Sequence, residues 1–433
     1  MKPHHATEAA WVVGGQAATA LGTLVGMRML TQFMTPASFG ALSLTLAAIV
    51  LVTGVASVPL TQAALHLYPT FAERGALRDL RTSLLRCLRR AGMWLLPLLC
   101  VAGVAYIVMG SGSPLLLVFA AVCLVSDNLR SVHTSMLNAA RRHRRYSLWT
   151  SCDAWLRPLL ATAAMVVFGS SATTAAGAYA VASVTLLLIF SSRLWTEAPA
   201  AAVDANRSPT PSAAEVDLEM WAYALPLLPL GLISWANNLG DRYFIGGTLG
   251  LESAGVYAAV YGLSSMPFTL IAGTIEQAVR PVYQTATATG RHDRANRLFQ
   301  WWLLAVAAAC AFGVLLFVLF HDVVAALLLA KPYRHASHLM PWIAAGYAMR
   351  ATASVFERVC YAYGRTRRVL AGQTSAALIA LVATPVGALG WGLAGAAAAV
   401  PLCFAIQLAV TIILARGALP VPVLRAVTSQ AST

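Results

Sequence analysis

The sequence predicts an all-α integral membrane protein of about twelve transmembrane helices, set in two six-helix lobes related by a parallel internal repeat. Three observations predict it. The 433 residues are 59% hydrophobic and only 11% charged, with a mean hydropathy of +0.70, whereas soluble domains carry about 25% charged residues. Apolar runs of membrane-spanning length recur along the whole chain. Finally, the breaks between those runs alternate between arginine-rich and uncharged.

A hydrocarbon core of about 30 Å takes roughly 20 consecutive apolar residues per helix. Such runs lie near 9–33, 39–66, 87–110, 114–138, 147–169, 172–194, 218–245, 252–280, 299–321, 337–363, 368–390 and 392–415. Each is expected to be helical, because an unpaired backbone amide in lipid costs several kcal/mol and the runs lack the polar alternation of a membrane barrel. The first run resembles a secretory signal in its basic MKPHH start and its Ala18-Thr19-Ala20 triplet. The apolar stretch between Glu8 and that triplet is too short for a signal core, and the run continues beyond it, so it reads as a retained helix.

Charge sets the orientation, since Lys and Arg accumulate in short cytoplasmic loops. Arg74, Arg78, Arg81, Arg86, Arg89 and Arg90 fall in 72–90, and RRHRR (141–145), RHDRANR (291–297) and GRTRR (364–368) add further clusters. The alternate breaks GSGSP (110–114), FGSSATTAAG (168–177) and GALGWG (387–392) carry no charge. Both termini are therefore placed in the cytoplasm. This rule absorbs much of the net charge of +14, so no nucleic-acid partner is expected. RRHRRY (141–146) is read as a topology signal that also attracts anionic membrane lipids. Cys87, Cys100, Cys123, Cys152, Cys310, Cys360 and Cys403 lie in or beside apolar runs without CxxC spacing. Neither disulfides nor a metal site is expected.

Three pieces of the first half recur in the second. GMRML (26–30) matches GDRYF (240–244) at an offset of 214, and SFGALSL (38–44) matches SAGVYAA (253–259) at 215. TQAAL (61–65) matches EQAVR (276–280), also at 215, and AARRHRR (139–145) resembles AYGRTRR (362–368) at 223. Six helices is an even number, so the copies share one orientation about an axis along the membrane normal, with a substrate path between lobes near the midplane. The expected division is a first lobe at 1–195, a polar Ala/Pro/Ser-rich cytoplasmic linker at 196–217, and a second lobe at 218–433.

Charges within the runs are the candidate functional residues, because a central Arg in a membrane helix costs about 2.5–3.5 kcal/mol on insertion scales. Arg28 and its repeat mate Arg242, beside Asp241, are the first. Asp127, Arg130, Thr134 and Asn138 form a polar stripe at helical spacing, and Arg350, Ser354 and Glu357 form a matching one. Since 127 and 350 differ by the offset of 223, Asp127 and Arg350 are expected to face one another as an ion pair. The bland alternatives are snorkelling for Arg28 and a neutralised i,i+3 pair for Asp127 and Arg130. Arginines suit a pyrophosphate, which their donor forks meet bidentately while staying charged. Glu276-Gln277, Asn237-Asn238, Tyr257 and Tyr261 are candidates for sugar hydroxyls, or else pack helices through hydrogen bonds. His66 and His133 read as packing residues.

Phe39-Gly40-Ala41-Leu42-Ser43 after a helix with a late Arg, Asp241-Arg242-Tyr243 followed by Ser253-Ala254-Gly255-Val256-Tyr257, and Gln277 with Pro281 beyond it carry a family resemblance. The chain resembles the bacterial lipid-linked oligosaccharide flippases of O-antigen and exopolysaccharide pathways. That family belongs to the superfamily that also holds the multidrug and toxin extruders and the lipid II flippase. The resemblance implies two lobes in a V around a central cavity in the inner membrane. It implies a non-enzymatic activity without cofactor, moving an undecaprenyl-pyrophosphate-linked glycan to the periplasmic leaflet by alternating access. It also implies polysaccharide polymerase and chain-length proteins as partners. Two rivals remain open. A multidrug extruder needs acidic cavity residues, and Asp127 keeps that reading alive. A glycan polymerase or ligase needs a sizeable periplasmic loop, and the longest candidate, 321–335, is short. An ATP-driven pump is excluded by the lack of GxxxxGK[ST] around Lys2 or Lys331, the only lysines.

Loop charge makes the topology testable. Cysteines introduced at Ser111 and Ser170 are expected to react with an impermeant maleimide from the periplasm, and one at Ser208 only from the cytoplasm. A periplasmic Ser208 would break the repeat scheme.

Overall fold

The computed structural model describes residues 3–73, 77–108, 113–140, 142–191, 213–363 and 365–416, and every regular element among them is helical. In order these are α1 (Pro3–Phe33), α2 (Pro36–Ala56), α3 (Val58–Glu73), α4 (Leu77–Val108), α5 (Pro114–Ala139), α6 (His143–Phe168) and α7 (Ala172–Ser191). They are followed by α8 (Ala213–Ala224), α9 (Leu228–Thr248), α10 (Gly250–Ala288), α11 (His292–Leu328), α12 (Met340–Ala362) and α13 (Thr366–Arg416). Short 3₁₀ turns occupy Leu225–Leu227 and Lys331–Leu339. Eight of the described helices are long and apolar enough to cross a membrane. Most of the expected linker, 196–212, lies outside the described residues; from Ala213 the chain is helical.

Helix breaks depart from the apolar runs where proline or glycine dictates. The run 39–66 is two helices, α2 and α3, meeting at Ser57. Pro59 supplies no N–H and its ring crowds the preceding turn, yet Ser57 N still donates to Thr53 O at 2.9 Å and Thr61 N to Ser57 O at 2.8 Å. Pro226 and Pro229 likewise separate α8 from α9. The stretch 77–90, read as a basic loop, is instead the helical start of α4. In α13 the break falls at Trp391 (φ −135°, ψ 16°) and Gly392 (φ 61°, ψ −143°), a left-handed residue that glycine adopts without penalty. The two arms of α13 then pack so closely that a Cβ on Gly387 or Gly395 would strike the other's carbonyl.

The chain forms two compact units, one of Met1–Met34 with Ala41–Trp235, the other of Thr35–Gly40 with Ala236–Thr433. Helices α2 and α9 therefore each contribute to both. In the first unit α1 packs on α6, α7 on α5 and α6, and α8 on α3 and α4. The α1–α6 seam is built from small residues, as membrane helix contacts tend to be. Gly15 abuts Ser147, Gly22 abuts Trp155 and Gly26 abuts Pro158; Trp155 Nε1 donates to Ala18 O at 2.9 Å. Helix α8 is pinned by Asp217, only 5% exposed, which accepts from Ser83 Oγ at 2.5 Å and from Arg86 and Arg90 at 3.0 Å each. His66 stacks on Tyr223 with ring centroids 4.6 Å apart.

In the second unit α10, α11 and α12 pack on one another and α12 on α13. The first turn of α2 joins them through a reciprocal glycine contact. A Cβ on Gly40 would strike Leu251 O and Gly255 N, and one on Gly255 would strike Pro36 O and Gly40 N. Residues 36 and 251, like 40 and 255, differ by 215, the offset of the sequence repeat. Equivalent residues that touch each other in this self-complementary way relate the two turns by a local two-fold. Gly40→Ala or Gly255→Ala is expected to cost about 1–3 kcal/mol, as overpacking does. The cost would appear as a lowered melting temperature of the detergent-purified protein, whereas Gly14→Ala, with open space around its Cβ, is expected to be neutral.

Candidate functional site

The polar residues of α5 and α6 meet inside the first unit. On α5, Leu115, Val118, Val122 and Val125 form an exposed apolar stripe, and the helical period of about 3.6 residues puts Asp127, Arg130 and Thr134 on the opposite face. On α6, Leu148, Leu159 and Val166 are exposed, and Asp153 and Arg157 lie opposite them. The two inward faces bring four charges together. Arg157 donates through Nη2 to Asp127 Oδ1 and through Nε to Asp153 Oδ1 at 2.8 Å. Arg130 Nε lies 3.3 Å from Asp127 Oδ1, and its Nη1 lies 3.6 Å from Asp153 Oδ2. Arg157 also sits over the Tyr179 ring of α7, 5.8 Å from its centroid. Two acids and two arginines leave the quartet neutral, with the multiple bonds a desolvated ion pair requires.

Asp127 and Arg130 were legible in the sequence as an i,i+3 pair; Asp153 and Arg157 were overlooked. Their signal was the i,i+4 spacing in DAWLR (153–157), inside a run otherwise read as an ordinary span. His133, packed near Trp149, donates from Nδ1 to Leu129 O at 2.7 Å. Arg28 lies near the C-terminal end of α1, half-buried, on the face opposite the α6 seam. Thr31 Oγ1 donates to its carbonyl at 3.2 Å.

The second unit answers its charges mostly with aromatic rings and amides. Tyr257 OH donates to Asp241 Oδ2 at 2.7 Å, and the Arg242 backbone N–H donates to Asp241 Oδ1 at 2.8 Å. The Arg242 guanidinium lies over the Tyr261 ring at 5.7 Å. Tyr347 OH is 3.0 Å from Tyr261 OH and 3.2 Å from Asn238 Oδ1. Arg350 Nη1 donates to the same Asn238 oxygen, and its guanidinium stands 5.7 Å from the Tyr347 centroid and 5.4 Å from that of Phe404. One turn of this network thus links Asp241, Arg242 and Arg350 through three tyrosines and an asparagine. Deeper, Glu357 is 6% exposed and accepts from Gln373 Nε2 at 3.1 Å and Gln407 Nε2 at 2.9 Å.

Asp127 and Arg350, expected as partners, each have partners within their own unit. Gln277 is exposed, and its neighbour Glu276 is the residue that pairs, with Arg358 at 2.8 Å and Arg280 at 3.3 Å. Asn237 Nδ2 donates to Gln373 O at 3.0 Å, a contact between helices. Among the described residues no group of three or more His, Cys, Asp or Glu could hold a metal ion.

No protein-family model matches the sequence, and comparison with curated proteins finds no match. Solved structures do match. An inward-facing multidrug resistance MATE family transporter of the MOP superfamily superposes with a TM-score of 0.76 at 14% identity, covering 95% of this chain and 98% of the other. An outward-facing MATE family transporter gives 0.70 at 14% identity, covering 95% and 94%. The lipid II flippase MurJ in an inward closed conformation gives 0.69 at 12% identity, covering 94% and 87%. The fold is that of these membrane transporters and flippases.

Removing Arg157 leaves two buried carboxylates to Arg130 alone. Arg157→Leu is expected to destabilise by about 3–5 kcal/mol, the usual cost of breaking a buried pair from one side. Thermal unfolding in detergent checks it; a shift no larger than that of Arg89→Ala, at an exposed position of α4, would mean the quartet holds nothing together.

Proposed function

We propose that this chain is a flippase. Its cargo is an undecaprenyl-pyrophosphate-linked oligosaccharide, an O-antigen or exopolysaccharide repeat unit, moved from the cytoplasmic to the periplasmic leaflet of the bacterial inner membrane by alternating access. The observation that carries this reading is the unequal treatment of charge. Asp127 and Asp153 are both bound by arginines, so the first unit offers little to a cationic drug. Arg350 is hydrogen-bonded to a neutral amide and stands over two rings, with the Glu357 carboxylate acting on it only through space, a setting that keeps its positive charge available to an anion. Arg28 and Arg242, mates in the sequence repeat, are assigned with it to the pyrophosphate.

Similarity to MurJ supports a lipid-linked cargo and similarity to the MATE structures supports a drug or ion antiporter, because the fold is common to both. One observation favours that second reading. Glu357 accepts hydrogen bonds from two neutral glutamine amides, and among the described residues Arg350 and Arg358 act on this buried carboxylate through space.

Reconstitution in proteoliposomes separates the readings. Lipid-linked oligosaccharide is expected to become accessible in the opposite leaflet only with the protein present. Arg28→Ala, Arg242→Ala or Arg350→Ala is expected to abolish this at near-normal protein abundance, and the lysine variants to keep part of it. A fully active Arg28→Ala, Arg242→Ala double mutant, or organic-cation transport that depends on Glu357, would overturn the assignment.

A further inference from the structure

The two arginines of the quartet are held differently. Arg157 is 13% exposed, makes the quartet's shortest contacts to both carboxylates and stands over Tyr179. Arg130 is 29% exposed, and its contacts to the same two carboxylates are longer, at 3.3 and 3.6 Å. On the helical period Arg130 is placed off the apolar stripe of α5, where Leu115, Val118, Val122 and Val125 are exposed. If Arg130 swings away, Asp127 and Asp153 still share Arg157. If Arg157 swings away, both lose their better partner.

We infer that Arg130 is the exchangeable arginine of the first unit, leaving Asp127 and Asp153 to grip a phosphate group, while Arg157 is a positioning residue that stays behind and holds both carboxylates. The inference rests on the anionic-cargo reading above and deepens it. The shared chemistry is a phosphate oxygen set replacing a carboxylate set on one guanidinium, with charge-assisted hydrogen bonds on both sides of the exchange. Asp127 and Asp153 then act as competitors of the ligand. They tune how tightly the anion is held, which matters for a carrier that must release what it binds. The same competition gives selectivity, since an organic cation meets carboxylates already committed to Arg157.

The sign of one mutation decides the matter. Asp153→Asn removes a competing negative charge and keeps the side chain's shape. Binding of inorganic pyrophosphate to the full-length protein in nanodiscs of neutral lipid, followed by calorimetry, is expected to tighten about tenfold, as removal of one nearby unit charge would allow. Arg130→Gln is expected to weaken it about tenfold or more, and on that background Asp153→Asn should lose its tightening effect, a coupling that a double-mutant cycle reads directly. Melting temperatures establish that each variant is folded. A quartet that only braces the helices would give Asp153→Asn a lower melting temperature with unchanged or weaker binding, and that result overturns the inference. So does tightening that persists in Arg130→Gln, which would make another residue the grip. Wild-type protein that binds no pyrophosphate sinks both this inference and the anionic-cargo reading. Normal pyrophosphate binding and coupling without transport of lipid-linked oligosaccharide sinks the cargo alone.

Discussion

Within the hydrocarbon core there is no water to solvate a charge, so every buried ionic group must find its counterpart in the protein. The rest of this structure follows from that constraint. In the first unit it is met by opposite charges, Asp127 and Asp153 against Arg130 and Arg157. In the second it is met largely by softer partners: Arg242 over Tyr261, Arg350 between Tyr347, Phe404 and Asn238, and Glu357 beneath two glutamines. The first solution cancels charge. The second leaves it in place and lowers its cost.

Those polar groups reach each other only because the helices approach closely. Gly15, Gly22 and Gly26 let α1 press against Ser147, Trp155 and Pro158, which commits one side of α6 to α1. Beside that seam α6 exposes Leu148 and Leu159, and Asp153 and Arg157, opposite these leucines, face α5 and α7. Small residues thus act at a distance on the electrostatics, through the rotation they impose on a neighbouring helix. Glycine plays a comparable part in the second unit, where Gly40 and Gly255 allow the first turns of α2 and α10 to touch.

The fold is shared with proteins of different named function, a multidrug resistance transporter in one case and a lipid II flippase in the other. Architecture alone does not choose between them. The proposed reading turns on side-chain charge instead: acids bound by arginine disfavour a cation, and an arginine hydrogen-bonded to a neutral amide favours an anion. The reading as an oligosaccharide flippase rests on that difference, supported by the arginine positions repeated at 28 and 242.

Read alone, the sequence determined the class of fold, because hydrophobic run length and the placement of arginines answer directly to bilayer thickness and membrane potential rules that act locally. It also exposed Arg28, Asp127, Arg130, Arg242 and Arg350, since a charge inside an apolar run needs no structure to be seen. The repeat offset of 215 was legible too, and the Gly40–Gly255 contact carries the same offset. What tertiary structure decided was partnership. Asp127 and Arg350 sit at equivalent places in the sequence, yet Asp127 bonds to Arg157 and Arg350 to Asn238. Neither choice can be read from spacing, because it depends on how far α6 and α9 are rotated about their axes. For α6 that rotation is set by glycine and proline contacts with α1, distant in the chain.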